Sequence, residues 1–79
     1  MTSTEQEVAL IVSAITKTPV DLIRPDTDLR VDLNVDSLQG LQIVAAIEKH
    51  FNVTVPDDEL DSYTNMRTIV ETVTRLRGH

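Results

Sequence analysis

The chain has no cysteine, no tryptophan, one phenylalanine and one tyrosine among its 79 residues. Without cysteine there can be no disulfide, no thiolate metal ligand and no protein-borne thiol chemistry. Without bulky rings the core has to be aliphatic, drawn from the 41% of residues that are hydrophobic. Two glycines and three prolines are too few for the many tight turns of an all-β domain. No apolar run is long enough to span a bilayer. Met1-Thr2-Ser3-Thr4 opens no basic segment followed by an apolar one, so no export signal is expected and the expected location is the cytoplasm. Basic residues are also scarce: 7 against 13 acids leave a formal net charge of -6. That balance repels nucleic-acid phosphates and anionic membranes, which are not expected partners, and it suits basic protein surfaces. The same acidity also serves plain solubility.

What the chain does have is helical periodicity. Its length makes one small domain, residues 1–79, with a modest core and no room for a second. A first helix is expected from near Thr4 to between Thr16 and Thr18. Ser3 or Thr4 would cap it, with Gln6 or Glu7 three residues on, and Val8, Ile11, Val12 and Ile15 would form its apolar face. Residues 17–35 read as a long connection, with one short turn at Thr18-Pro19-Val20-Asp21, ended by Pro25. Leu22, Ile23, Leu29, Val31, Leu33 and Val35 recur along it, more apolar side chains than a free loop carries, so they are expected to pin it across the helix ends. Asp26 to Asp28 is a turn signal. A second helix follows from its cap Asp36, with Gln39 at the third position, to about His50. Asn52 to Pro56 is extended in character. Asp57 to Tyr63 suits a short helix with acids at its N-terminal end. Thr64 is the expected cap of a last helix striped by Met66, Ile69, Val70, Val73 and Leu76, with Arg75 and Arg77 near its end and Gly78 as a stop. The expected fold is all-α, a four-helix bundle of three longer helices and one short one.

At about 100° per residue the second helix shows two apolar faces. Ile43, Val44, Ile47 and Phe51 cluster on one side, with Gly40 between them, and suit the core. Leu38, Leu41 and Ala45 fall nearly opposite. Either the 17–35 loop covers this second group, or it is an exposed stripe for docking other proteins, the reading preferred here.

Ser37 stands at the first helical position, directly after Asp36, where unpaired N–H groups and partial positive charge favour a nearby phosphate. A nucleophilic serine would need a base. The only histidines are His50, roughly 20 Å along the same helix at 1.5 Å per residue, and His79 at the terminus. No Gly-x-Ser-x-Gly elbow and no Gly-rich phosphate loop is present. The chain is therefore not expected to be an enzyme. Nor is a metal site expected. Asp26, Asp28 and Asp32 are loosely spaced, and Asp57, Asp58, Glu59 and Asp61 read as a solvated helix face, without the spacing of a Ca²⁺ loop. As an isolated tripeptide, Asp36-Ser37-Leu38 would be no more than a helix start.

In its setting, Asp32-Leu33-Asn34-Val35-Asp36-Ser37-Leu38 resembles the phosphopantetheine attachment motif of acyl carrier proteins. The resemblance runs on through Ile43 to Phe51 and Val53-Thr54-Val55-Pro56-Asp57-Asp58-Glu59 into the last helix; the first helix and the long loop match in length and pattern more than in residues. It implies that a phosphopantetheinyl transferase moves the arm from coenzyme A onto Ser37, and that the arm's thiol holds acyl groups as thioesters. The chain would then be a monomeric, non-catalytic shuttle among acyl-loading, condensing and tailoring enzymes. In the family the helix beginning at the serine is the main recognition element, which assigns docking to Leu38, Leu41, Gln42, Ala45 and Glu48. Asn34 stands where the family usually has Gly, and it tolerates the left-handed backbone better than most residues. Gln39 and Gln42 stand where fatty-acid carriers are often acidic, leaving Glu48 as the helix's remaining acid after Asp36. These departures point to polyketide or related secondary metabolism rather than housekeeping fatty-acid synthesis. Gly40 costs roughly 0.5–1 kcal/mol relative to Ala and is read as permitting close packing. Two alternatives stand beside this reading. One is an aminoacyl, peptidyl or aryl carrier of a nonribosomal peptide pathway, against which Asp36 leans; the other is a helical adaptor that carries no prosthetic group.

Overall fold

The computed structural model of the chain describes residues 3–56 and 65–77. Among these residues there are three α-helices: α1 (Ser3–Thr16), α2 (Ser37–Phe51) and α3 (Met66–Arg77). Between α1 and α2 lies a single 3-10 turn, Val20–Leu22, flanked by Pro19. Among the described residues there is no β-strand, only an isolated bridge between Asp28 and Asn65. The short helix expected at 57–63 and the stop at Gly78 lie outside the described residues.

The helices form where the apolar periodicity places them. Val8 and Val12 from α1, Ile43 and Ile47 from α2, and Met66, Ile69 and Val73 from α3 are fully buried together. Ile11, Ile15, Phe51 and Val70 pack around them, half-buried. Helix α1 packs against both of the others, while α2 and α3 touch less extensively. Helix ends follow backbone chemistry. Lys17 and Asn52 take the left-handed conformation just past α1 and α2, both with positive φ, which turns the chain out of the helix as glycine often does. Ser3 and Thr4 are already helical, so neither is the cap the sequence suggested; Thr4 Oγ1 instead accepts a hydrogen bond from Arg77 Nη1 at 3.1 Å. At the start of α3, Asn65 rather than Thr64 is the cap. Its Oδ1 accepts the Thr68 N–H at 2.9 Å and its carbonyl accepts the Ile69 N–H at 3.2 Å. Asn serves as well as Thr in this role, so residue type alone cannot place the boundary.

The long connection is held down, though not by every apolar residue in it. Ile23, Leu29 and Val35 are buried and Leu33 is partly so, whereas Leu22 and Val31 are exposed, Val31 at 80%. The reason lies in the backbone bonds. Thr27 Oγ1 accepts the Arg24 N–H at 2.7 Å, and the carbonyls of Pro25 and Thr27 accept the N–H groups of Arg67 and Met66. Residues 24–27 are thereby fastened to the first turn of α3. Beyond them a second knot forms. Asp28 Oδ1 accepts the N–H groups of Arg30 and Val31, Asp32 Oδ2 accepts the Asp28 N–H, and the Asp28 carbonyl accepts the Asp32 N–H at 2.8 Å. This self-contained turn aims Val31 at solvent.

Across the far end of the bundle, His50 Nε2 and Glu7 Oε1 lie 2.6 Å apart, joining α2 to α1, and the Arg77 guanidinium sits 5.3 Å from the Phe51 ring centroid. Both members of the His50–Glu7 pair are well exposed, so the contact adds at most about 1 kcal/mol.

Gly40 corrects a sequence expectation. Outside its own stretch of helix, no atom of the described residues lies within 4 Å of where its Cβ would be, so close packing against them does not explain it. Gly40→Ala is expected to raise stability by about 0.5–1 kcal/mol, seen as a higher midpoint in chemical denaturation. Ile47→Ala, which removes the centre of the core, should lower stability by about 2–5 kcal/mol. A Gly40→Ala variant less stable than wild type would contradict the open space beside it.

Candidate functional site at the start of the second helix

The serine's position is built from the loop upward. The Leu29 carbonyl accepts the Val35 N–H at 2.9 Å, and both side chains are buried, so the two ends of the 29–35 segment are drawn together. To close it, Asn34 adopts φ 56°, in the left-handed region. This is where the motif departs from glycine, and Asn is among the few residues that enter that region at modest cost. Val35, buried directly after it, leaves Asp36 extended with φ -93° and ψ -177°, which is cap geometry.

From there α2 begins. Asp36 Oδ1 accepts the Gln39 N–H at 2.8 Å and the Asp36 carbonyl accepts the Gly40 N–H at 2.9 Å. The Gln39 side chain makes no return bond among the described residues, so the capping box is half formed. Ser37 is the first residue of the helix, and it is exposed together with Asp36 and Leu38. The backbone N–H groups of Ser37 and Leu38 have no protein acceptor among the described residues. The start of α3 differs: there the N–H groups of Met66, Arg67 and Thr68 all have acceptors. Two free donors and the positive end of the helix dipole surround the Ser37 hydroxyl, a setting suited to a phosphodiester. Among the described residues the one histidine, His50, lies at the other end of α2, paired with Glu7.

The two apolar faces of α2 separate as the wheel requires. Ile43 and Ile47 are buried, and Val44 and Phe51 are half-buried. Leu38 and Leu41 are 65% and 59% exposed, and Gln42 and Ala45 are exposed beside them. The 17–35 loop therefore does not cover this stripe. Glu48 borders it, about 20° from Leu41 on the wheel, and is half-buried: its Oε2 accepts the Val55 N–H at 2.8 Å and its carbonyl accepts the Val53 N–H at 3.1 Å. That carboxylate holds the 52–56 segment against the end of α2. The residue missed in the sequence is Lys49, exposed on the same side as Ala45 four positions earlier. The 100° spacing alone would have found it.

A groove of about 390 Å³ opens between the first half of α1, the 3-10 turn and Met66, floored by Ala9, Val20, Ile23 and Met66. No residue of α2 lines it, so it is separate from the serine. Among the described residues there is no cluster of three or more His, Asp or Glu placed to hold a metal ion, and no helix is long and apolar enough to cross a membrane.

Asn34 makes the local geometry testable. Asn34→Gly is expected to fold with undiminished stability, whereas Asn34→Val, forced into the left-handed region, should lose about 1–2 kcal/mol in urea denaturation. Equal stability of the two variants would mean that this turn does not demand a left-handed residue.

Residues 6–73 match the family described as phosphopantetheine attachment site. The chain is 39% identical to an acyl carrier protein of Beutenbergia cavernae over 82 aligned positions, covering 99% of this chain and 96% of that protein. It is 40% identical over 60 positions to one of Streptomyces coelicolor, covering 76% of this chain and 65% of that one. A third similar protein, from Rickettsia bellii, is 32% identical over 95% of this chain and 84% of its own length, and is also an acyl carrier protein.

Proposed function

This chain belongs to the acyl carrier protein family, and we propose that Ser37 is the residue on which it carries its arm. Members are carriers rather than enzymes, and their prosthetic group is a covalently attached 4'-phosphopantetheine. That membership brings with it a phosphopantetheinyl transferase and acyl-handling enzymes as interacting proteins, and it sets aside the adaptor without a prosthetic group.

The observation that carries the assignment is the exposed hydroxyl at the first position of α2, beside the unpaired N–H groups of Ser37 and Leu38. The residues present fit the group. Asp36 fixes the helix start, Asn34 and Val35 orient it, and the N–H groups of Ser37 and Leu38, without an acceptor among the described residues, would be available to phosphate oxygens. The group supplies a thiol that this cysteine-free chain lacks, and acyl cargo rides on it as a thioester. The chain's own part is to hold the hydroxyl in reach of the transferase and to offer Leu38, Leu41, Gln42, Ala45 and Glu48 as a docking face, Glu48 also bracing the end of that helix through the Val55 N–H.

We read residues 1–79 as one carrier domain, a four-helix bundle, monomeric and cytoplasmic. Gln39 and Gln42, where fatty-acid carriers are often acidic, favour cargo from polyketide or related secondary metabolism. Asp36 before the serine favours acyl over aminoacyl or peptidyl cargo. Mass spectrometry of the loaded protein from its native host distinguishes these cargoes.

Incubation with coenzyme A and a broad-specificity phosphopantetheinyl transferase tests the attachment site. Wild type is expected to gain the mass of one phosphopantetheine, and Ser37→Ala, equally folded by circular dichroism, none. Modification of Ser37→Ala would move the site elsewhere; a folded wild type that gains no mass would refute the assignment.

A further inference from the structure

The turn before α2 needs a residue that enters the left-handed region, and Asn34 does so with φ 56°. Glycine would meet that need with no Cβ penalty, so the backbone by itself asks for nothing that asparagine adds. What asparagine adds is a carboxamide. It stands exposed and makes no hydrogen bond among the described residues. Asn65, by contrast, uses its Oδ1 to cap α3, accepting from the backbone N–H and the hydroxyl of Thr68. Three steps along the chain separate Asn34 from Ser37, which holds their Cα atoms within about 11 Å of each other. Val35 between them is buried, whereas Asn34, Asp36 and Ser37 are all exposed. The three polar groups therefore all stand on the solvent side of the inward-facing valine.

They differ in what they offer an anion. The Asp36 carboxylate only accepts hydrogen bonds when ionised, and its Oδ1 already takes the Gln39 N–H. The Ser37 hydroxyl gives up its proton when it is esterified. The Asn34 amide keeps two N–H donors and carries no charge. We propose that Asn34 is a positioning residue for the prosthetic arm, its side-chain amide donating a hydrogen bond to a phosphodiester oxygen on Ser37. The inference rests on the carrier reading above and adds the residue that steadies the root of the arm. A phosphodiester is anionic, and the Asp36 carboxylate beside it has the same sign. A hydrogen bond to a charged oxygen is stronger than one between neutral groups, so the amide offsets that repulsion without adding charge of its own. It holds only the first link of the arm and leaves the rest free to swing.

The test compares isotope-labelled wild type before and after arm transfer from coenzyme A, by NMR of the side-chain amides. The Asn34 amide is expected to shift on arm attachment and its hydrogen exchange to slow about two- to tenfold. Asn52, equally left-handed and exposed but past the far end of α2, is the internal reference and should do neither. The phosphorus resonance of the arm should move in Asn34→Gly, which keeps the turn, and in Asn34→Asp, which replaces the donor with an acceptor. Circular dichroism checks that both variants fold. An Asn34 amide with the same shift and exchange rate in both forms overturns the inference and leaves the carrier reading intact. So does a shift without slowed exchange, which would report nearness to charge alone. Movement of the Gln39 amide or the Arg30 guanidinium in its place would give the contact to that residue and overturn the inference too. A wild type that gains no arm removes the carrier reading and this inference with it.

Discussion

A single backbone hydrogen bond, from the Val35 N–H to the Leu29 carbonyl, organises the serine end of the molecule. It would be weak alone, worth about 1 kcal/mol net. It works because both residues bury their side chains in the core that the three helices share. With residues 29 and 35 held in place, the intervening chain has to turn back on itself, and Asn34 takes the left-handed conformation that allows it. The next two residues then have no freedom to choose the direction in which α2 starts. Ser37 comes out at the surface because Val35 goes in.

The same loop also serves α3, and the two helix starts are treated in opposite ways. Pro25 and Thr27 give their carbonyls to the first N–H groups of α3, and Asn65 takes the third. That end is closed by protein acceptors. At α2 the loop stops short: Asp36 caps one donor, and those of Ser37 and Leu38 have no acceptor among the described residues. Unsatisfied donors at a helix N-terminus cost little when they face water, and they are what an anion needs. On the proposed reading, a phosphate-linked arm on Ser37 would occupy a place that the described residues leave open.

The exposed face of α2 follows from how few layers the fold has. Helix α1 covers one side of α2, α3 touches it only in part, and the long loop is spent on the ends of the bundle. Nothing among the described residues remains to cover Leu38 and Leu41. In a chain of this size an apolar stripe left open is costly unless another protein covers it in turn. For a carrier that visits several enzymes, a partner-facing strip and a flexible arm sharing one helix end make each visit bring the cargo to the same place. Glu48 shows how tertiary position adds to what a residue does. The acid on this helix reads in sequence as part of the strip, and its bond to the Val55 N–H also makes it a brace for the following segment.

Helix existence, the aliphatic core and the attachment motif were all legible from residue order. Periodicity is a local property, and Val8, Val12, Ile43, Ile47, Ile69 and Val73 are buried where the spacing put them. The separation of α2 into a core face and an outward face was legible for the same reason. Which of the loop's apolar residues anchor it was not. Ile23, Leu29 and Val35 look no different in sequence from Leu22 and Val31, and the choice rests on hydrogen bonds between residues 25–27 and 66–67, some forty positions apart. The cap of α3, the open space beside Gly40 and the engagement of Glu48 were likewise decided by tertiary neighbours. A pattern along the chain reports which side chains want to leave water; only the assembled fold, by bringing distant donors and acceptors within 3 Å or so of one another, settles which of them do.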